Sequence, residues 1–204
     1  MQKYVLLFVL LMLALAAPAG ATTINFDDLT TVNTWGAVSN AWLDVPTNYA
    51  GFTFTGWEVM NRLAYNTLYV QSEPTLPSDP NFAYSGNDSG GVLRVSSSTP
   101  FQFLGTQLAY WPQAAGAASS VTITGWLGNV QVGSVTKNLG SWSNSGAISG
   151  LVDRLDFAPS TGYFRMDNVE LAPVPEPGSL ALLGTGLVGL GWVGRKRRAA
   201  AAQQ

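Results

Sequence analysis

Ser120-Val121-Thr122-Ile123-Thr124-Gly125-Trp126, then Gly128-Asn129, then Val130-Gln131-Val132-Gly133-Ser134-Val135: this stretch decides the fold class. Apolar and polar residues alternate on both sides of a Gly-Asn pair. Such alternation has the period of a half-buried strand, and two such runs around a tight Gly-Asn turn form a β-hairpin with a II′-type turn. Gly51-Phe52-Thr53-Phe54-Thr55-Gly56-Trp57 repeats the pattern, with Phe52 and Phe54 alternating with threonines.

Working outward, further strands are expected at Thr23–Phe26, Leu68–Gln71, Val92–Ser96, Phe101–Leu104, Gln107–Trp111, Leu151–Phe157 and Tyr163–Leu171. About ten short strands separated by turn residues predict an all-β domain, a β-sandwich or jelly roll. No helix-period stretch is visible outside the two chain ends. Ser72–Gly91 carries Pro74, Pro77, Pro80, Gly86, Gly90 and Gly91 and reads as a long irregular loop.

Composition narrows the function. Of 204 residues only 11% are charged, and neither cysteine nor histidine occurs. Disulfides, thiolate nucleophiles, Cys-based zinc sites and every Ser-His-Asp, Cys-His or H-E-x-x-H mechanism are thereby excluded. Between Thr22 and Ala172 there are five basic residues against eleven acidic ones, a net charge of −6. An acidic body repels phosphate backbones, which argues against a nucleic-acid partner. No Gly-rich phosphate loop opens a helix, so nucleotide chemistry has no support.

Both ends read as addresses. At the start, Lys3 precedes an apolar run from Val5 to Ala17 and the small-residue stretch Pro18-Ala19-Gly20-Ala21. This is the pattern of a secretory signal peptide over residues 1–21, with Ala19 and Ala21 at the −3 and −1 positions and cleavage before Thr22. Residues 22–172 then form the ectodomain and residues 173–204 a separate C-terminal segment. That segment contains Val174-Pro175-Glu176-Pro177, an apolar Gly/Leu run from Leu180 to Val193, and the cluster Arg195-Lys196-Arg197-Arg198. As a helix, 14 to 17 such residues reach about 21–25 Å, short of a ~30 Å hydrocarbon core, so the run is a marginal permanent anchor. The basic cluster stays cytoplasmic by the positive-inside bias, leaving the acidic domain outside.

Pro175-Glu176-Pro177, the apolar helix and Arg195–Arg198 in this order closely resemble the PEP-CTERM protein-sorting signal of Gram-negative bacteria, over Val174 to Arg198. The resemblance implies recognition by an exosortase, a membrane cysteine transpeptidase, followed by removal of the tail. It also implies a host that makes exopolysaccharide or biofilm matrix. The extension Ala199–Gln204 departs from the usual abrupt end. The middle of the chain resembles the jelly-roll ectodomains found attached to this tail. The likeness rests on Asn25-Phe26-Asp27-Asp28-Leu29, Tyr49-Ala50-Gly51-Phe52-Thr53-Phe54 and Gly162-Tyr163-Phe164-Arg165-Met166-Asp167-Asn168-Val169.

Three chemistries are weighed for the domain. Asp27 and Asp28 near its start and Asp167 and Asn168 near its end would converge if the terminal strands are neighbours, offering oxygen ligands to a structural Ca²⁺. The alternative is that they cap strand ends and bond to backbone. Trp35, Trp42 and Trp142 lie in Ser/Asn/Gly-rich surroundings, where exposed rings would stack on sugars, whereas Trp57 and Trp126 end alternating strands and belong in the core. Glycoside hydrolysis by two carboxylates needs neither His nor Cys, but Glu58, Glu73, Asp153, Asp156 and Glu170 show no paired spacing. The sequence therefore predicts an exported, exosortase-processed, non-catalytic protein of the cell surface or biofilm matrix. Its expected partners are signal peptidase, exosortase, transiently the inner membrane, and extracellular polysaccharide. A secreted carbohydrate-binding module is the alternative, and a carboxylate-dependent glycoside hydrolase the second.

Overall fold

A computed structural model describes residues 20–69, 76–85, 93–112 and 116–174, together with Gly184 and Gly186. Its elements are β1 (Thr22–Ile24), β2 (Asn33–Trp35), β3 (Val38–Asp44), β4 (Asn48–Tyr49), β5 (Phe52–Thr55), β6 (Trp57–Asn61), α1 (Arg62–Tyr69), β7 (Asn81–Ser85), β8 (Leu93–Tyr110), β9 (Ser120–Leu127), β10 (Val130–Asn138), β11 (Ser143–Asn144), β12 (Ile148–Pro159) and β13 (Phe164–Pro173). The all-β expectation holds. All pairings between named strands are antiparallel, in the order β10-β9-β12-β8-β13-β7-β6-β3-β2, with β1 on β13, β11 on β8, and β5 between β4 and β8.

The Gly-Asn hairpin forms as the alternation demands. Leu127 faces Val130, and Gly128 has φ +60° while Asn129 stays on the negative side, which is the II′ arrangement. Val121, Ile123 and Gly125 turn inward. A Cβ on Gly125 would stand 2.7 Å from Val152 Cγ1, so the strand needs glycine there for β12 to pack close.

Strand β8 joins two halves of the sheet. Its residues 94–96 lie between β5 and β12, whereas Leu108 and Gln107 lie between β13 and β11. Expected as three short strands, it is continuous because its two apparent breaks are absorbed. Pro100 falls in the part of β8 between Ser96 and Phe101 where the register with β12 shifts, so its missing N–H interrupts no pairing with β12. Gly105 has φ +142° inside a register shift against β13, a conformation open to glycine, with Asn144 against its α-carbon. Bent at these shifts, the strand lets the two halves of the sheet face each other. Trp57 of β6 meets Phe157 of β12 edge-on at 5.0 Å and Phe164 of β13 at 5.7 Å, although β6 and β12 are far apart in strand order. Phe26, Phe54, Val95, Phe103, Leu155 and Val169 fill the same interior.

Two expectations need correction. Leu68 and Tyr69 belong to α1 rather than to a strand. Asn61 caps this helix by accepting the Leu63 N–H at 2.9 Å, and Ala64, Tyr65, Leu68 and Tyr69 make one inward stripe. Two turns are too short to print a clear period. Asn81–Ser85, expected in a loop, is a central strand between β6 and β13 with all five residues buried. Burial on both faces removes the alternation by which a strand is recognised.

The chain divides into two units. Ala21–Pro173 is the β domain, whose terminal strands are neighbours, Thr22 opposite Leu171 and Ile24 opposite Val169. The other takes in the two chain ends, where Gly184 and Gly186 are helical. The expected signal peptide, but for residues 20 and 21, and the rest of the expected C-terminal helix lie outside the described residues.

Candidate functional site

The acids expected to bind calcium do come near one another, but they act as hydrogen-bond acceptors. Asp167 is wholly buried on β13. Its Oδ2 accepts the Ser78 N–H at 2.8 Å, its Oδ1 accepts the Asn168 N–H at 2.7 Å, and the Ser78 hydroxyl reaches both oxygens at 2.9 and 3.0 Å. Asp27 Oδ1 accepts the Asn81 N–H at 3.1 Å, and the Asn81 amide donates to the carbonyls of Phe26 and Leu29 at 3.0 and 2.7 Å. Asp28 is turned away and accepts the Tyr49 hydroxyl. Burial, with that bond and the charges of Asp28 and Asp27, pushes the Tyr49 phenol above its ordinary range. The result is a polar latch tying residues 78–81 to the end of β1 and to β13.

Burial also pushes the Asp167 carboxyl up to about 7, against the pull of its Ser78 and Asn168 donors and with a small push from Asp27. Among the described residues no three His, Cys, Asp or Glu side chains gather as a metal-binding group.

Beside the latch a cleft of about 620 Å³ opens, with Asp27 and Asn81 on its lining, Thr31 and Asn40 on one side, and Asn61 and the exposed Leu63 on the other. Its polar lining is largely spent internally. The Thr31 hydroxyl donates to the Asn40 carbonyl at 2.6 Å, and the Asn61 amide donates to Asn81 at 3.3 Å.

A second face of the sheet is richer. Cross-strand register places Asp44 opposite Glu58, Glu58 opposite Tyr84, and Tyr84 opposite Arg165, so four strands contribute one polar row. The neighbouring row is Trp42, Met60 and Phe82. Tyr84, Phe82, Met60, Trp111 and Tyr65 form a separate aromatic core on this face, covered by α1. The Tyr84 hydroxyl donates to Glu58 Oε2, and Trp35 packs on the Tyr84 ring at 6.5 Å. Burial first, then the bond to Glu58 and the charges of Glu58 and Asp44, push the Tyr84 phenol far above its ordinary range, which keeps it a donor.

The three tryptophans expected at the surface are all half-buried. Trp142 is drawn into the aromatic core, with the Arg165 guanidinium 4.9 Å from its ring centre and Phe82 at 6.2 Å. Trp35 and Trp42 stay together on the β2–β3 hairpin, where the Trp42 indole N–H donates to the Thr34 carbonyl at 3.4 Å. Trp57 is core as expected, and Trp126 is half-buried under the Arg154 guanidinium at 4.8 Å. Sequence reasoning did not single out Asp44 or Tyr84. The signal that finds them is strand register, which pairs them with Glu58 from either side.

The C-terminal segment supplies the remaining evidence. Residues 173–198 match the PEP-CTERM protein-sorting motif. The chain carries a PEP-CTERM sorting segment. The match takes in Pro175, Glu176, Pro177, Arg195, Lys196, Arg197 and Arg198 and leaves Ala199–Gln204 outside it. It implies an exported protein sorted to the cell surface, with an exosortase as its processing partner. These seven residues lie outside the described ones, and no helix among the described residues is long and apolar enough to cross a membrane. No curated protein matches the chain.

Proposed function

We propose that this is a non-catalytic component of the cell surface or exopolysaccharide matrix, delivered by its signal peptide, held transiently in the inner membrane and released by exosortase cleavage. One observation carries the reading: the PEP-CTERM match begins at Pro173, the residue at which β13 ends, so the sorting segment follows the β domain without a further module between them. The lack of His and Cys supports a role without catalysis. So do the partners of Asp153 and Asp156. Asp156 is paired with Arg94 at 2.7 Å and Arg154 at 3.4 Å, and Asp153 accepts the Gly128 N–H at 2.6 Å.

Intact mass of the protein recovered from its native host tests the sorting half of this reading. A species beginning at Thr22 and ending near Pro175-Glu176-Pro177 is expected. A mass that still includes 180–198 would refute exosortase release and make the protein a membrane-anchored one.

A further inference from the structure

We propose that Trp35 and Trp42, with Asp44 and Glu58, form a binding surface for polysaccharide that carries no acidic groups. The proposal goes beyond the sorting reading and stands independently of it. Four observations meet on one patch. Trp35 and Trp42 occupy the same hairpin, and both indoles are only half-buried. The Trp42 N–H is spent on Thr34, which fixes the ring edge. Asp44, two residues along from Trp42 and on the same face, is exposed, and it stands opposite the partly exposed Glu58. The buried Tyr84 hydroxyl holds Glu58 from below, so one of the two carboxylates is preorganised rather than free to wander.

The chemistry that fits is that of a pyranose chain. Apolar C–H faces of sugar rings lie on indoles, and sugar hydroxyls donate to carboxylate oxygens. Opposed residues on adjacent strands have Cβ atoms about 4.5–5.5 Å apart, so Asp44 and Glu58 present two acceptors within one sugar's reach. The same pair sets the charge selectivity. A uronate would bring its own carboxylate against two others on a domain already at −6, which disfavours it by Coulomb repulsion. Neutral hexoses and N-acetylhexosamines meet no such penalty.

The test uses the full chain, purified in a detergent without a sugar headgroup, and isothermal titration with three probes of equal length: a neutral gluco-oligosaccharide, a chito-oligosaccharide and an oligogalacturonate. At least one of the first two is expected to bind, and the uronate is not. Trp42→Ala should weaken that binding by about tenfold or more. Asp44→Asn changes an exposed side chain, so the fold is retained, and should narrow the gap between neutral and uronate probes. Absence of binding by both neutral probes overturns the proposal. So does equal binding by the Trp42→Ala protein, preference of the parent for oligogalacturonate, or uptake of an oligolysine control in place of sugar. None of these outcomes bears on the mass of the mature protein, so the two readings fail separately.

Discussion

Asp167→Asn should flatten a pH dependence of stability that the parent protein shows between about pH 4 and 7. The Asp167 side chain is wholly buried, and burial raises its carboxyl from 3.8 to about 7. In the unfolded chain the group returns to its ordinary range. Between those two values the native state holds a proton that the unfolded state has lost. Stability therefore falls as pH rises through this window, and the loss is complete above the folded value. Each pH unit contributes at most about 1.4 kcal/mol, so three units give an upper limit of about 4 kcal/mol. That is a large fraction of the 5–15 kcal/mol typical of a domain. The opposing influence is also local: the Ser78 and Asn168 N–H groups and the Ser78 hydroxyl all stabilise the anion. Urea midpoints followed by tryptophan fluorescence from pH 4.5 to 8 decide between them. A midpoint that falls toward pH 7 in the parent and stays flat in Asp167→Asn is expected. A parent whose midpoint is level, or rises, over this range would show that the three donors outweigh burial and would refute the reasoning.

Gly125→Ala should cost about 1–3 kcal/mol in the same urea assay, because the new methyl meets Val152 Cγ1 at 2.7 Å and two Ile148 carbons at 3.2 and 3.3 Å. Gly140→Ala, with nothing within 4 Å, is the control and should stay within about 0.5 kcal/mol of the parent. EDTA should leave the melting temperature unchanged, since Asp27 and Asp167 are spent on Asn81, Ser78 and Asn168; a clear fall on chelation would restore calcium to the Asp27–Asp167 latch.

What was legible in the sequence is what a half-buried strand prints. Val121, Ile123 and Trp126 beside a Gly-Asn turn are enough to place β9 and β10, and the Phe52–Phe54 alternation places β5. Asn81–Ser85 shows the limit. Phe82 and Tyr84 face the aromatic core while Ala83 faces the main one, so both faces are buried and no polar, solvent-facing positions alternate with the apolar ones. Helix α1 fails for a different reason, since eight residues hold only one repeat of the stripe. Pro100 and Gly105 punctuate β8 in sequence without ending it in space, because register shifts in its pairings accommodate both.

The same contrast separates the sorting segment from the patch on the domain. Pro175-Glu176-Pro177, the apolar run and Arg195–Arg198 are contiguous, and a membrane enzyme can read them as a linear string, so a sequence alone displays them in full. Asp44, Glu58 and Tyr84 become neighbours only through the pairing of β3 with β6 and of β6 with β7, with Glu58 and the tyrosine that holds it 26 positions apart. Alternation tells which face a residue takes, but a shift of one residue in either pairing would send Glu58 to the interior. Register is fixed here by the inward set: Trp57 and Val59 must meet the main core, which leaves Glu58 and Met60 on the other face. Core packing on one side of β6 thus positions the carboxylate on the other, and a change at Trp57 should reach the patch through strand register before it reaches it through any direct contact.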